Sequence, residues 1–229
     1  METAEFAVLF PVHRSHRECR EARKMSDIMS YNGAAVLAMK GKNCVAIACD
    51  LRLGAQFQTV DCNFSKIYKM TDHIFIGFNG LQSDAQSFSQ QLKYEVNSYK
   101  LRENREISPE AFASLVRTKQ YQHRFGPFFV EPVIAGLNKN GEPFVDAMDT
   151  IGAGIYAPKY AVAATCAESL LGTCEAFYKD DMEPDELFEV ISQCLLSSMD
   201  RDAYSGWGGL VYILTPDCII ERRLKTRMD

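Results

Sequence analysis

Hydrophobic periodicity along this chain changes in a fixed order: strands, two helices, strands, two more helices, and strands again. Residues 34–40 are small and branched apolar residues of a buried strand, and Gly41-Lys42-Asn43 turns the chain into a second one at 44–49. After a strand at 74–78, Leu81, Ala85, Phe88, Leu92, Val96 and Tyr99 recur every three or four positions and predict an amphipathic helix. Ser108-Pro109 announces a second helix, with a hydroxyl cap followed by proline in the first turn, and Phe112, Leu115 and Val116 form its inner face. Pro127 and Pro132 punctuate the chain before a strand at 133–137, and Asn140-Gly141 is a hairpin turn into 144–148. Thr165-Cys166-Ala167-Glu168 has capping-box spacing and predicts a third helix burying Leu170, Leu171, Cys174 and Phe177. A fourth begins near Pro184, with Leu187, Ile191, Cys194, Leu195 and Met199 on one stripe, and strands at 209–214 and 218–224 close the chain. Helix pairs separated by hairpins do not alternate as β-α units. They predict an α+β architecture of two stacked sheets covered on both sides.

One pair of charges stands out against this apolar pattern. Asp50 ends the second strand, Arg52 follows on the same side of the extended chain, and Lys66 is the nearest candidate partner. A carboxylate at the end of a buried strand requires such a partner, because an isolated buried charge is costly. The chemistry that a lysine–carboxylate pair supports is attack by an N-terminal threonine, serine or cysteine whose own α-amino group is the base. Ala34 has neither hydroxyl nor thiol, so it cannot attack a carbonyl or cut the Gly33-Ala34 bond to free its amine.

The segment from Gly33-Ala34 to Arg52 resembles the start of a proteasome β subunit with its threonine replaced. Asp50 follows Ala34 by sixteen residues and Lys66 follows it by thirty-two, the family's spacing of threonine, aspartate and lysine. Gly80 in Ile76-Gly77-Phe78-Asn79-Gly80 matches the glycine whose amide forms the family's oxyanion hole, and Arg201-Asp202-Ala203-Tyr204-Ser205-Gly206 matches the motif of the supporting aspartate and serine. Gly152-Ala153-Gly154 is matched to the place where active members have a serine near the nucleophile, so Ala153 is a second loss. Longer strings, among them Ser30-Tyr31-Asn32-Gly33, Arg124-Phe125-Gly126-Pro127 and Lys225-Thr226-Arg227-Met228-Asp229, extend the likeness from about Met25 to Asp229, toward one non-catalytic type of eukaryotic β subunit. The resemblance implies the N-terminal-nucleophile hydrolase fold, a four-layer αββα sandwich. It also implies a structural role in the β ring, with β subunits of the same and opposite ring and α-ring subunits as partners. This work would be in the cytoplasm and nucleus, in degradation of ubiquitin-tagged and other proteins. The chain would form chamber wall and parts of neighbouring substrate pockets, and no cofactor is implied.

Composition excludes other classes. Among 229 residues, 47% hydrophobic and 24% charged, the net charge of -5 argues against a nucleic-acid face. No run reaches the about 20 apolar residues a membrane span needs. The eight cysteines include no Cys-x-x-Cys pair, and with no secretory signal they are expected to be reduced thiols in the cytosol or nucleus rather than disulfides or zinc ligands. Residues 1–24 are expected to be an extension, mobile or absent from the mature chain, ahead of a single domain spanning 25–229; Met25 is the alternative start. Its basic residues follow the short apolar run 6–10 rather than precede it, the reverse of a signal peptide. His13, His16 and Cys19 share a helical spacing, but three such groups on a tail are weak evidence for a metal.

Each site residue also has a purely structural reading. Asp50 and Lys66 make a buried ion pair, Asp202 and Ser205 cap the end of the fourth helix and the turn after it, and Gly80 serves a tight strand-to-helix turn. Trp207 and Phe128-Phe129 suit a core or a subunit contact. Two rival functions differ in class. An active hydrolase using another nucleophile has only Ser30 nearby, four residues before Ala34 and up to roughly 13 Å from the required place. A free-standing metabolic enzyme would be expected to show a phosphate loop or dinucleotide fingerprint, and neither occurs.

Overall fold

Alternation within the strands builds three separate cores. The computed structural model describes residues 28–157 and 159–228. In β1 (Ala35–Lys40) and β2 (Val45–Asp50), Val36, Ala38, Val45, Ile47 and Cys49 point to one side, while Ala35, Leu37, Met39, Ala46 and Ala48 point to the other. Both sides are buried, which is why these strands read as continuous apolar runs. They lie at the centre of a five-stranded sheet in the order β10-β1-β2-β11-β12, where β10 is Tyr160–Ala164, β11 is Gly209–Leu214 and β12 is Ile219–Leu224. A second five-stranded sheet runs β5-β6-β7-β8-β9, from β5 (Ile67–Lys69) and β6 (Ile74–Gly80) through β7 (Val130–Leu137) and β8 (Pro143–Met148) to β9 (Gly154–Tyr156). All pairings are antiparallel.

The sheets face each other across Val36, Ile47, Phe75, Val133, Val145 and Leu210. Helices α1 (Gln82–Glu103) and α2 (Pro109–Gln122) cover the outer face of the second sheet through Phe88, Leu92, Phe112 and Val116. Helices α3 (Ala167–Phe177) and α4 (Pro184–Met199) cover the first through Leu170, Cys174, Leu187, Ile191 and Leu195. The result is the expected α+β sandwich, four layers in the order αββα.

Local signals are realised unevenly. Ser108 Oγ accepts from the Ala111 N–H at 3.3 Å, as its sequence predicts. Pro132 does not interrupt the strand but lies inside β7, tolerated because β8 pairs only from Val133 onward. No capping box forms at Thr165, since α3 starts at Ala167 behind Cys166 without a side-chain cap. Within α3, Leu170 and Cys174 are buried while Leu171 and Phe177 stay exposed, so its inner face is narrower than its apolar content suggests. The expectations placed on residues 1–24, including His13, His16 and Cys19, lie outside the described residues.

Candidate functional site

The site forms where one end of the first sheet meets the second. Asp50 is the last residue of β2, and Lys66 stands one residue before β5, so the two sheets deliver opposite charges to one point. Both side chains are fully buried, and Lys66 Nζ donates to Asp50 Oδ1 at 2.5 Å and to the Arg52 carbonyl at 2.7 Å. Asp50 also accepts the Ala35 N–H at 2.9 Å on Oδ1 and the Gly206 N–H at 3.3 Å on Oδ2. Burial pushes the Asp50 carboxyl above the usual carboxylate range, opposed by Lys66 and these two amides.

Arg52 is almost wholly buried and braces the site from the hairpin β3 (Leu53–Ala55) and β4 (Gln58–Asp61). Its guanidinium donates to Thr59 Oγ1 (3.0 Å), the Tyr204 carbonyl (2.6 Å) and the Gln56 carbonyl (2.9 Å). That ties the hairpin to the 202–206 loop.

A second cluster adjoins Ala34, which is itself completely buried. The Thr165 N–H donates to the Ala34 carbonyl at 2.8 Å, and Thr165 Oγ1 donates to Asp202 Oδ2 at 2.5 Å. The same carboxylate oxygen accepts the Ser205 hydroxyl at 2.5 Å and the Ser205 N–H at 3.1 Å, while Oδ1 accepts the Tyr204 N–H at 3.3 Å. Asp202 therefore folds the turn after α4 onto itself and joins it to the end of β10. Helix α4 ends at Met199, three residues earlier, so the bonds cap this turn rather than the helix. Cys166 Sγ lies 3.9 Å from Ser205 Oγ, and burial, with Asp202 beside it, pushes this thiol up to about 12.

The residues before Ala34 cover the site from above. The Asn32 carbonyl accepts the Gly54 N–H at 3.1 Å, the Tyr31 carbonyl accepts the Gln56 N–H at 2.7 Å, and Asn32 Nδ2 donates to the Gly54 carbonyl at 2.8 Å. Asn32 Oδ1 also accepts the Gln82 N–H at 2.9 Å, capping α1 from fifty residues away in the chain. Gly33 adopts φ +69° against the Tyr204 carbonyl, where a Cβ would collide. Gly80 ends β6 at φ +111°, its Cα facing the Phe129 carbonyl and the Met29 side chain, so it serves the strand-to-helix turn and lies under this covering segment.

The structure thus brings Ala34, Asp50, Lys66, Asp202 and Ser205 into two adjoining hydrogen-bonded groups. Ala153 is a correction. It occupies the turn between β8 and β9, where its N–H donates to Asp149 Oδ1 at 2.7 Å and its glycine neighbours rest on Arg117 of α2. The residue beside Ala34 is instead Thr165, because β10 pairs with β1 and sets Ala164 opposite Ala35. Thr165, Arg52 and Asn32 were not singled out from sequence as site residues. Chemically, the cluster holds a lysine and two carboxylates but no hydroxyl or thiol at Ala34. Among the described residues no group of three or more His, Cys, Asp or Glu gathers as metal ligands, and no helix is long and apolar enough to cross a membrane.

The proteasome subunit family profile matches residues 30–214, spanning both charge clusters. The chain belongs to the proteasome subunit family. Its similarity to named members runs nearly end to end. It is 54% identical to proteasome subunit beta type-3 of Picea mariana and 55% identical to type-3-B of Arabidopsis thaliana, each over 202 residues, 88% of this chain and 99% of the relative. With proteasome subunit beta type-3 of Saccharomyces cerevisiae it shares 48% identity over 206 residues, 90% of this chain and all of the relative. Ala34, Asp50, Lys66 and Asp202 all fall within these limits of the family match.

Proposed function

We propose that this chain is a non-catalytic β-type subunit that builds the proteasome core particle without cutting peptide bonds. The observation that carries the reading is the methyl side chain of Ala34, seated at the meeting point of the Asp50–Lys66 pair and the Thr165–Asp202–Ser205 cluster. Without an oxygen or sulfur no acyl-enzyme forms, and without release from Gly33 no terminal amine exists to accept a proton. The cluster is the scaffold of a reactive site turned to holding strand ends together. In this role the chain pairs with β subunits of its own and the opposite ring and with α-ring subunits, and it supplies wall and pocket edges to active neighbours. Its place of work is the cytoplasm and nucleus, in breakdown of ubiquitin-tagged and other proteins.

The test is a peptide epoxyketone probe applied to the purified native particle, with each chain resolved by mass spectrometry. The expected result is label on other subunits and none on this chain, whose Gly33-Ala34 bond stays intact. Probe attached to this chain overturns the reading and favours a hydrolase with a different nucleophile.

A further inference from the structure

The dipeptide Asn-Gly occurs three times in the chain, at 32–33, 79–80 and 140–141. It is chemically labile, because a glycine, having no Cβ, lets its own backbone nitrogen swing onto the side-chain amide before it. The fold treats the three pairs differently. Asn32 is held at both ends of its carboxamide, Nδ2 donating to the Gly54 carbonyl at 2.8 Å and Oδ1 accepting the Gln82 N–H at 2.9 Å. Asn79 is buried within β6, where it stands opposite Glu131 of β7 and donates to Glu131 Oε2 at 2.8 Å, and Gly80 after it is paired with Val130. Asn140 is exposed at the tip of the β7–β8 hairpin, and no described residue bonds its carboxamide.

We propose that Asn140-Gly141 is a self-modifying site, converted to aspartate or isoaspartate while the other two pairs persist. The Gly141 nitrogen gives its proton to a buffer base and attacks Cγ of Asn140. The bond from Cγ to the side-chain nitrogen breaks, that nitrogen takes a proton from the buffer and leaves as ammonia, and a succinimide ring closes. Water opens the ring at either carbonyl, so one amide and one water yield one carboxylic acid and one ammonia. The turn sets the rate. Gly141 N–H donates to the Asn138 carbonyl at 2.8 Å and Asn138 N–H to the Glu142 carbonyl at 2.9 Å, and the first of these must open before attack. A hairpin tip opens far more readily than the sheet pairing around Asn79. Packing adds little resistance, since a Cβ at Gly141 would meet only Pro216 Cγ, at 3.7 Å. The product carboxylate joins a cavity wall that already carries His73, Arg105, Lys139 and one acid, Glu106, which Lys100 holds at 2.9 Å. Conversion thus adds a negative charge to a surface richer in cations.

The experiment uses the full chain in its native assembly, held in weakly alkaline buffer made with oxygen-18 water, beside a sample of the same chain in urea. Both are then digested by pepsin in ordinary acidic water, where ring closure is slow. Electron-transfer mass spectrometry of the peptides separates aspartate from isoaspartate. The expected result is heavy oxygen at residue 140 in both products, gained on the order of tenfold faster than at 32 or 79 and faster still as pH rises. In urea the three pairs should react at comparable rates. An Asn140→Gln chain, which must close a larger ring, should lose the signal at 140 and keep the behaviour of the other two. The proposal is overturned if Asn140 stays an amide in the native assembly, or if Asn32 or Asn79 is labelled there as fast as Asn140. It is equally overturned if urea leaves the preference for Asn140 unchanged, since the fold would then not be what selects it. The readout is a covalent change in the β7–β8 hairpin, so its outcome is separate from whether the chain has peptidase activity.

Discussion

At Ala34 the missing group is a hydroxyl, but the covalent continuity with Gly33 matters as much. An Ala34→Thr chain regains a nucleophile next to the Asp50–Lys66 pair, yet Tyr31 and Asn32 stay hydrogen-bonded to Gln56 and Gly54 of the β3–β4 hairpin and Met29 still lies against Gly80. The expected outcome is an intact Gly33-Thr junction and no probe labelling, read by intact mass. Ala153 is no part of that reasoning, because its hairpin rests on α2. The Asp50–Lys66 pair allows a sharper test. Lys66→Met strands a fully buried carboxylate and should cost about 3–5 kcal/mol. Adding Asp50→Asn, whose amide oxygen still accepts from Ala35, should recover a large part of this loss; pulse proteolysis in urea reads both, and additive losses would contradict the coupling. The buried Cys49 and the half-buried Cys166 carry a pH signature. Burial holds Cys49 and Cys166 each at about 12. With folded values above unfolded ones near 8.5, the stability these protons contribute is complete at neutral pH and falls as pH rises toward the folded values. At pH 9 iodoacetamide should therefore label both residues in urea and neither in the native chain.

Strands with clean alternation or continuous apolar runs were legible in sequence, which is why β1, β2, β6, β8 and β11 fall within two residues of expectation. The hairpin β3–β4 and the edge strands β9 and β10 were not. Leu53–Ala55 and Gln58–Asp61 carry little apolar pattern, and Tyr160–Ala164 is mostly alanine, a weak strand former that holds its place by pairing with β1. Missing β10 had a direct consequence for the site. Without it, Thr165 looked like a local helix cap, whereas its hydroxyl is used by Asp202, thirty-seven residues later. Asp50, Lys66, Asp202 and Ser205 were legible as positions because their motifs are local, but the segment that covers them was not. Asn32 is the residue that holds that segment to both β3 and α1. Asn32→Ala removes the only side-chain acceptor at the α1 N-terminus among the described contacts and should cost about 1 kcal/mol. Amide exchange should rise at residues 82–84 and 54–56 together; an increase at one stretch alone would show that the two are not held by one side chain.

On the scale of the molecule, all three cores are closed, yet large apolar side chains still face outward. Tyr94 and Leu101 on α1, Tyr121 on α2 and Phe125 just beyond it are between 59% and 97% exposed, and Phe57 on the β3–β4 hairpin is 73% exposed against Tyr204. These residues contribute little to folding the isolated chain, because they remain in water. On the proposed role as a ring subunit they would be surface that assembly removes from water, at roughly 25 cal/mol for each Å² of apolar area. Replacing Leu101 or Phe125 by aspartate should accordingly leave the fold intact and reduce incorporation into the particle, whereas Lys66→Met should impair both. Far-UV circular dichroism of the isolated chain and native mass spectrometry of particles assembled in competition with the unaltered chain separate the two effects. Full incorporation of both aspartate variants would place the interfaces elsewhere, and loss of fold would show that these side chains pack against the chain itself.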